Sequence, residues 1–190
     1  MKLIRFADLT PKPWKNGGGT TTEIAVSPDR AGFDDFDWRL SVADVASDGP
    51  FSLFPDIDRT LTLIEGNGLV LAIEGREPVT LTLASEPLPF AGDIPVNATL
   101  IDGPIRDFNV MTRRGQCSHA VEKHDLKAGP IEVNEASAIV LSLGSGTLDA
   151  DGAMIDMAFG DVIVFDKATT LSGTHQILIA RLSPASQPIS

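Results

Sequence analysis

The chain has no tyrosine, a single cysteine (Cys117) and three histidines among its 190 residues. One thiol excludes an internal disulfide framework and fits a reducing compartment. No run approaches the ~18 uninterrupted apolar residues of a membrane-spanning helix. The opening "MKLIRFADLTPKPW" lacks the apolar core of a signal peptide. Positive charge is scarce as well: 15 Lys and Arg stand against 26 Asp and Glu, for a formal net charge of -11. Such a chain repels nucleic-acid phosphates and anionic lipid, so neither a nucleic acid nor a membrane is expected as partner, and the cytoplasm is the expected location.

Helical periodicity is missing too, beyond short turns expected in "AGFDDFD" and "GPFSLFPDID". What is there instead is alternation. "TTTEIAVS" places Thr20, Thr22, Ile24 and Val26 on one face and Thr21, Glu23 and Ala25 on the other. "DWRLSVAD", "RTLTLIEG", "GLVLAIEG", "DFNVMTRR", "SAIVLSLG", "DVIVFDK" and "HQILIARL" alternate likewise, punctuated by 17 glycines and 13 prolines. These are strands bounded by turns, and the fold class is all-β.

The strands recur in order. "LIEGNGLVLAIEG" resembles "VLSLGSGTLDADG", pairing Gly66-Asn67-Gly68 with Gly144-Ser145-Gly146; Gly92-Asp93 pairs with Gly160-Asp161, and Gly103 with Gly173. The pattern resembles the cupin superfamily, and two copies imply a bicupin: two small antiparallel jelly-roll barrels side by side in one compact unit, 1–190. The halves are expected at approximately 1–115 and 116–190, with exchange of the N-terminal strands between barrels as an alternative.

Metal-binding cupins need neutral imidazoles converging with a carboxylate. His119, His124 and His175 form no H-x-H pair and lie away from Gly66 and Gly144, so no metal or other cofactor is expected. "WKNGGGTTTEI" resembles a phosphate loop only superficially. No Lys-Ser/Thr follows the last glycine, the β-branched run after it favours a strand, and "LTPKPWKN" before it carries two prolines. Gly17, Gly18 and Gly19 therefore let the backbone approach either a small organic anion or the next strand. Trp14 would supply an apolar wall and Asn16 a donor and acceptor.

Polar groups also interrupt apolar strands. Arg39 shares a face with Ser41; Asn109, Met111 and Arg113 share another, and Arg59 follows "FPDID". A buried arginine needs a carboxylate, from the protein (Asp56, Asp58 or Asp107) or from a ligand. In so acidic a chain the set points to one arginine-lined anion pocket. No G-x-S-x-G or recognisable triad spacing occurs, and no catalytic residue is assigned. A metal-free isomerase or hydrolase with Glu23 or His119 as base is the enzymatic alternative, and an interaction module with a vestigial pocket is a third.

"PWKNGGGTTTEIA", "WRLSVADVASDGPFSLFPDIDRTLTLIEGNGLVL", "FAGDIPV" and "DGPIRDFNVMTRRG" together resemble the HutD/Ves family, from Pro13 to about Gly115 in motifs and onward in pattern. The family pattern would have glycine where this chain has Asp56. The resemblance implies a bicupin fold, a cytoplasmic location and an association with histidine utilisation, a pathway of small carboxylates such as urocanate and formylated glutamate. The expected protein is a metal-independent accessory or regulatory binder of a urocanate-, formylglutamate- or formate-type carboxylate. Its expected ligand-binding residues are Trp14, Asn16, Gly17, Gly18, Gly19, Arg39, Arg59, Asn109, Met111 and Arg113; a homodimer is left open.

Overall fold

The computed structural model describes residues 1–133 and 138–185. In chain order the strands begin with β1 (Lys2–Ile4), β2 (Lys12–Pro13), β3 (Gly19–Ser27), β4 (Trp38–Val45), β5 (Gly49–Pro50) and β6 (Ile57–Glu65). They continue as β7 (Leu69–Ile73), β8 (Val79–Leu81), β9 (Leu88–Ala91), β10 (Val96–Leu100), β11 (Ile105–Arg113) and β12 (Cys117–Asp125). The last are β13 (Ile131–Val133), β14 (Ala138–Ser142), β15 (Gly146–Ala150), β16 (Ala153–Met157), β17 (Val162–Phe165), β18 (Thr169–Gly173) and β19 (Gln176–Pro184). Among the described residues the helices are two short 3₁₀ turns, Phe6–Asp8 and Leu126–Ala128. Neither stretch expected to hold a turn of helix does: "AGFDDFD" is a turn, and "GPFSLFPDID" runs from β5 through a loop with Pro55 into the start of β6. No described helix is long and apolar enough to cross a membrane.

The strands sort into two units. Thr10–Ser118, with Pro184 and Ala185, forms the first; Met1–Leu9 and His119–Ser183 form the second. The division between the units falls at 118/119, and residues 1–9 belong to the second, where β1 pairs antiparallel with β17. In the first unit a six-stranded sheet (β2-β3-β4-β11-β6-β9) and a four-stranded sheet (β5-β10-β7-β8) make a jelly roll. The second unit repeats it with β1-β17-β14-β19-β12 and β13-β18-β15-β16. Alternation sends every second side chain inward. Leu61, Leu63, Leu69, Leu71 and Phe90 fill the first interior, and Val140, Leu148, Ile163, Phe165 and Ile177 the second. Each such fully buried side chain contributes roughly 1.5–3 kcal/mol.

The sheet orders match over eight strands: β4, β11, β6 and β9 correspond to β12, β19, β14 and β17, and β5, β10, β7 and β8 to β13, β18, β15 and β16; β2 and β3 of the first unit and β1 of the second stand outside the match. The Gly66–Gly68 and Gly144–Gly146 turns are equivalent, joining β6 to β7 and β14 to β15. The Gly-Asp turns are not: Gly92-Asp93 follows β9, whereas Gly160-Asp161 precedes β17, its counterpart. Each aspartate instead holds an arginine of its own unit. Asp93 accepts from Arg114 at 2.7 and 3.0 Å. Asp161 accepts from Arg5 Nη1 at 2.6 Å and from the Phe6 and Ala158 amides at 3.0 and 2.9 Å.

Burial pushes the Asp161 pKa up, but these donors outweigh it and leave the net shift downward. The ionised form is thus favoured by folding, so its contribution is present above the usual carboxylate range and lost as pH falls through the lowered pKa. Asp161→Ala orphans three donors and is expected to cost about 2–4 kcal/mol in urea denaturation at neutral pH. A much smaller loss would mean that solvent replaces the aspartate.

Candidate functional site

Two bulges decide what the six-stranded sheet presents inward. Between β3 and β4 the register shifts so that Glu23 lies opposite Ser41 and Ala25 opposite Leu40. Ile24 is the extra residue, and it interrupts the alternation expected of "TTTEIAVS". Val26 consequently lies opposite Arg39 and packs with Phe36, Ile57 and Met111, not on the Thr20–Thr22 face. A second shift sets Arg106 against Glu65 and Asp107 against Leu63, with Ile64 extra. Three rows then run across β4, β11 and β6: Arg39–Met111–Arg59, Ser41–Asn109–Leu61 and Ala43–Asp107–Leu63.

All of these residues but Leu61 and Leu63, which belong to the core, line a cavity of about 600 Å³ inside the first unit. Arg59 is its electrostatic centre. Its Nε donates to Asn109 Oδ1 at 2.7 Å, and its guanidinium lies 4.6 Å from the Phe51 ring and 5.5 Å from Phe90. Among the described residues its two Nη nitrogens have no hydrogen-bond partner, so the outer edge of the guanidinium is free. Burial lowers the Arg59 pKa to about 10, against the opposing pull of Asp107, with Arg39 adding to the lowering. The group stays cationic at neutral pH in a setting that penalises its charge.

Asn109 relays between Arg59 and Asp107: its Nδ2 donates to Asp107 Oδ1 while its Oδ1 accepts from Arg59. Asp107 is 1% exposed. Burial pushes its carboxyl up to about 6, opposed by Arg59 and by the Asn109 hydrogen bond, with Asp44 adding to the rise. Arg39, also buried, is neutralised by its own chain: Nε donates to Glu23 Oε2 at 2.9 Å, Nη1 reaches Ser41 at 3.4 Å, and Phe33 lies over the guanidinium at 4.8 Å. Trp14, Met111 and Phe54 add apolar wall, and the exposed Lys12 and Lys15 stand at the lining's edge. The Trp14 indole N–H already donates to Thr21 at 2.7 Å.

Of the expected ligand-binding residues, Trp14, Asn16, Arg39, Arg59, Asn109 and Met111 line this cavity. The remaining four do not. The Arg113 guanidinium donates to the Phe36 and Asp34 carbonyls at 2.9 Å each, fastening the loop before β4. The Gly17 amide donates to Trp14 O, the Gly18 amide to Asn16 Oδ1, and the Gly19 carbonyl accepts from Trp14 N. A Cβ on Gly19 would lie 2.2 Å from the Asp44 carbonyl oxygen. The glycine loop thus closes against its neighbouring strand. Asp56, where glycine was expected, has φ of +61°, the left-handed turn conformation aspartate tolerates better than most residues.

Glu23 is held in its ion pair with Arg39, and His119 lies on β12, outside the lining. Among the described residues no group of three or more His, Cys, Asp or Glu is placed to hold a metal ion. Asp107 carries the same strand parity as Asn109 and Met111, a signal that could have placed it in the site. Phe33, Phe51 and Phe54 sit in irregular loops, where parity gives no direction.

A family model described as HutD matches residues 6–179. Protein Ves of Citrobacter koseri is 45% identical over 127 residues, 64% of either chain. An uncharacterised 21.2 kDa protein in the hutC 3' region of Pseudomonas putida is 40% identical over 111 residues, 58% of this chain and 57% of that one. The chain thus spans less than two thirds of the length of these relatives. The solved structure of HutD from Pseudomonas fluorescens SBW25 (formate condition) superposes with a TM-score of 0.83 at 30% identity, over 97% of this chain and 99% of that one. A cupin 2 conserved barrel domain protein from Leptotrichia buccalis superposes with a TM-score of 0.59 at 14% identity over 96% of both chains, a likeness of fold alone.

Proposed function

The chain belongs to the HutD family, and on that premise we propose that its first unit is a receptor for a small organic carboxylate, acting in the cytoplasm as an accessory or regulator of histidine utilisation. The observation that carries the proposal is the free Nη edge of Arg59 facing a cavity of about 600 Å³. A planar guanidinium edge matches a carboxylate bidentately, and the contact strengthens where water is excluded. Arg59 supplies the charge, Asn109 fixes the guanidinium's orientation, and Trp14 and Met111 offer apolar contact. Asn16 orients the ligand from the loop, and Arg39, its charge met by Glu23, contributes as part of the wall against Phe33. No step in this scheme calls on a metal. The pathway assignment rests on family membership and on the P. putida relative in a hutC 3' region.

Calorimetry with urocanate, formylglutamate, glutamate and formate tests the reading; formate is the simplest of the class, and the P. fluorescens HutD structure carries a formate condition. With chelator present, at least one is expected to bind with one site per chain. Silence from all four against a folded sample would overturn the receptor.

A further inference from the structure

The charged groups around the cavity are unequally matched. Arg59 on β6 and Asp44 on β4 act on Asp107 directly; Arg39 on β4, Lys12 on β2 and Lys15 in the loop after it share the cavity lining with it, and Glu23 on β3 is Arg39's partner. Glu23 is paired with Arg39 at 2.9 Å and Asp44 with Arg106 at 2.7 Å. Asp107, the most buried of these carboxylates, has no ion pair among the described residues; Asn109 stands between it and Arg59. No histidine lines the cavity.

With Asp107 ionised, Arg59 and Asp107 cancel, and an incoming carboxylate would leave two negative charges against one guanidinium in a desolvated space. With Asp107 protonated, one anion meets one unbalanced cation, and Asn109 retains its bridging position. We propose that Asp107 determines selectivity for the ligand's charge, and that the site takes up a small carboxylate together with one proton, which lodges on Asp107. The inference rests on the carboxylate-receptor reading and adds its regulation: occupancy rises as pH falls, at constant ligand. The elevated Asp107 pKa supports this, because it lies close enough to neutrality for the proton to be recruited. A second anion at the site raises it further, so the bound form holds the proton where the free form does not.

The test is calorimetry with formate and acetate at pH 5.5 to 8, run in phosphate and in Tris, whose ionisation heats differ. Both ligands are largely ionised from about pH 5.5 upward and almost wholly so above about pH 6, where the slope is read. Near pH 7 the buffer dependence should report uptake of close to one proton per ligand bound. Affinity should weaken by up to about tenfold per pH unit above about 6, the slope one linked proton imposes. Asp107→Asn keeps the shape and removes the titration; it should bind with no pH trend and more tightly than wild type at pH 8. Ligand-free stability gives an independent readout. The folded-state pKa of Asp107 is raised, so its contribution to stability falls as pH rises from about 4 to about 6, and Asp107→Asn should remove that part of the profile. Measurable binding without proton uptake, or a slope retained by Asp107→Asn, overturns this inference and leaves the receptor standing. Absence of binding at every pH overturns both.

Discussion

Arg59→Met is expected to lower affinity for the carboxylate by roughly 100-fold or more while the chain still folds. Losing one partner of a desolvated, hydrogen-bonded charge pair costs about 2–5 kcal/mol, and about 2.7 kcal/mol is already a factor of 100. Methionine fills much of the volume between Phe51 and Phe90 and keeps sulfur–aromatic contact there. Removing a cation whose burial already lowers its pKa also relieves a desolvation cost, so stability should change far less than binding. Asp107 then loses the arginine that holds its carboxyl down and becomes neutral over a wider pH range. Arg59→Lys should recover only part of the affinity, since an ammonium cannot offer the parallel donor pair. Arg113→Met is the control: its guanidinium serves the Phe36 and Asp34 carbonyls, so affinity should stay within about threefold while stability falls. Equal binding by wild type and Arg59→Met would remove the guanidinium edge as the recognition element.

Much of the site follows from strand parity. Arg39 with Ser41, and Asn109 with Met111, have the right spacing to share a face, and the structure puts all four on one wall. Parity fails where a residue is inserted or a strand ends. The Ile24 bulge carries no local signature in a run of β-branched residues, yet it moves Val26 to the opposite face. Arg113 has the same parity as Asn109, but it is the last residue of β11, where a long side chain can turn to loop carbonyls. The two-fold repeat is legible in the order of strands and in the Gly66 and Gly144 turns. The Gly-Asp equivalence misleads, because a Gly-Asp turn that follows a strand and one that precedes it look alike in sequence. The pairing of β1 with β17 joins Lys2 to Val164, far apart in sequence, and alternation within a three-residue strand says nothing about its partner.

The glycine loop makes the largest stability prediction. At Gly19 a Cβ would lie 2.2 Å from the Asp44 carbonyl oxygen and 3.1 and 3.2 Å from Trp14 ring carbons. The first contact is with backbone, so relief requires the start of β3 to move away from β4, where Gly19 lies opposite Val45. Gly19→Ala should therefore cost about 3 kcal/mol or more in urea denaturation, at or above the upper end for overpacking. At Gly17 nothing lies within 4 Å of the added carbon, but φ is +74°. Gly17→Ala should cost only the left-handed penalty of about 1–2 kcal/mol. The two variants separate reasons that a run of three glycines cannot separate by itself: backbone freedom at the first, close strand approach at the third. They also separate structure from recognition. Displacing Trp14 from its place beside Gly19 disturbs the cavity wall, so Gly19→Ala should weaken carboxylate binding where Gly17→Ala does not. If the costs come out reversed, with Gly17→Ala destabilising more and abolishing binding, the loop's first amide, not its contact with β4, is what the ligand needs.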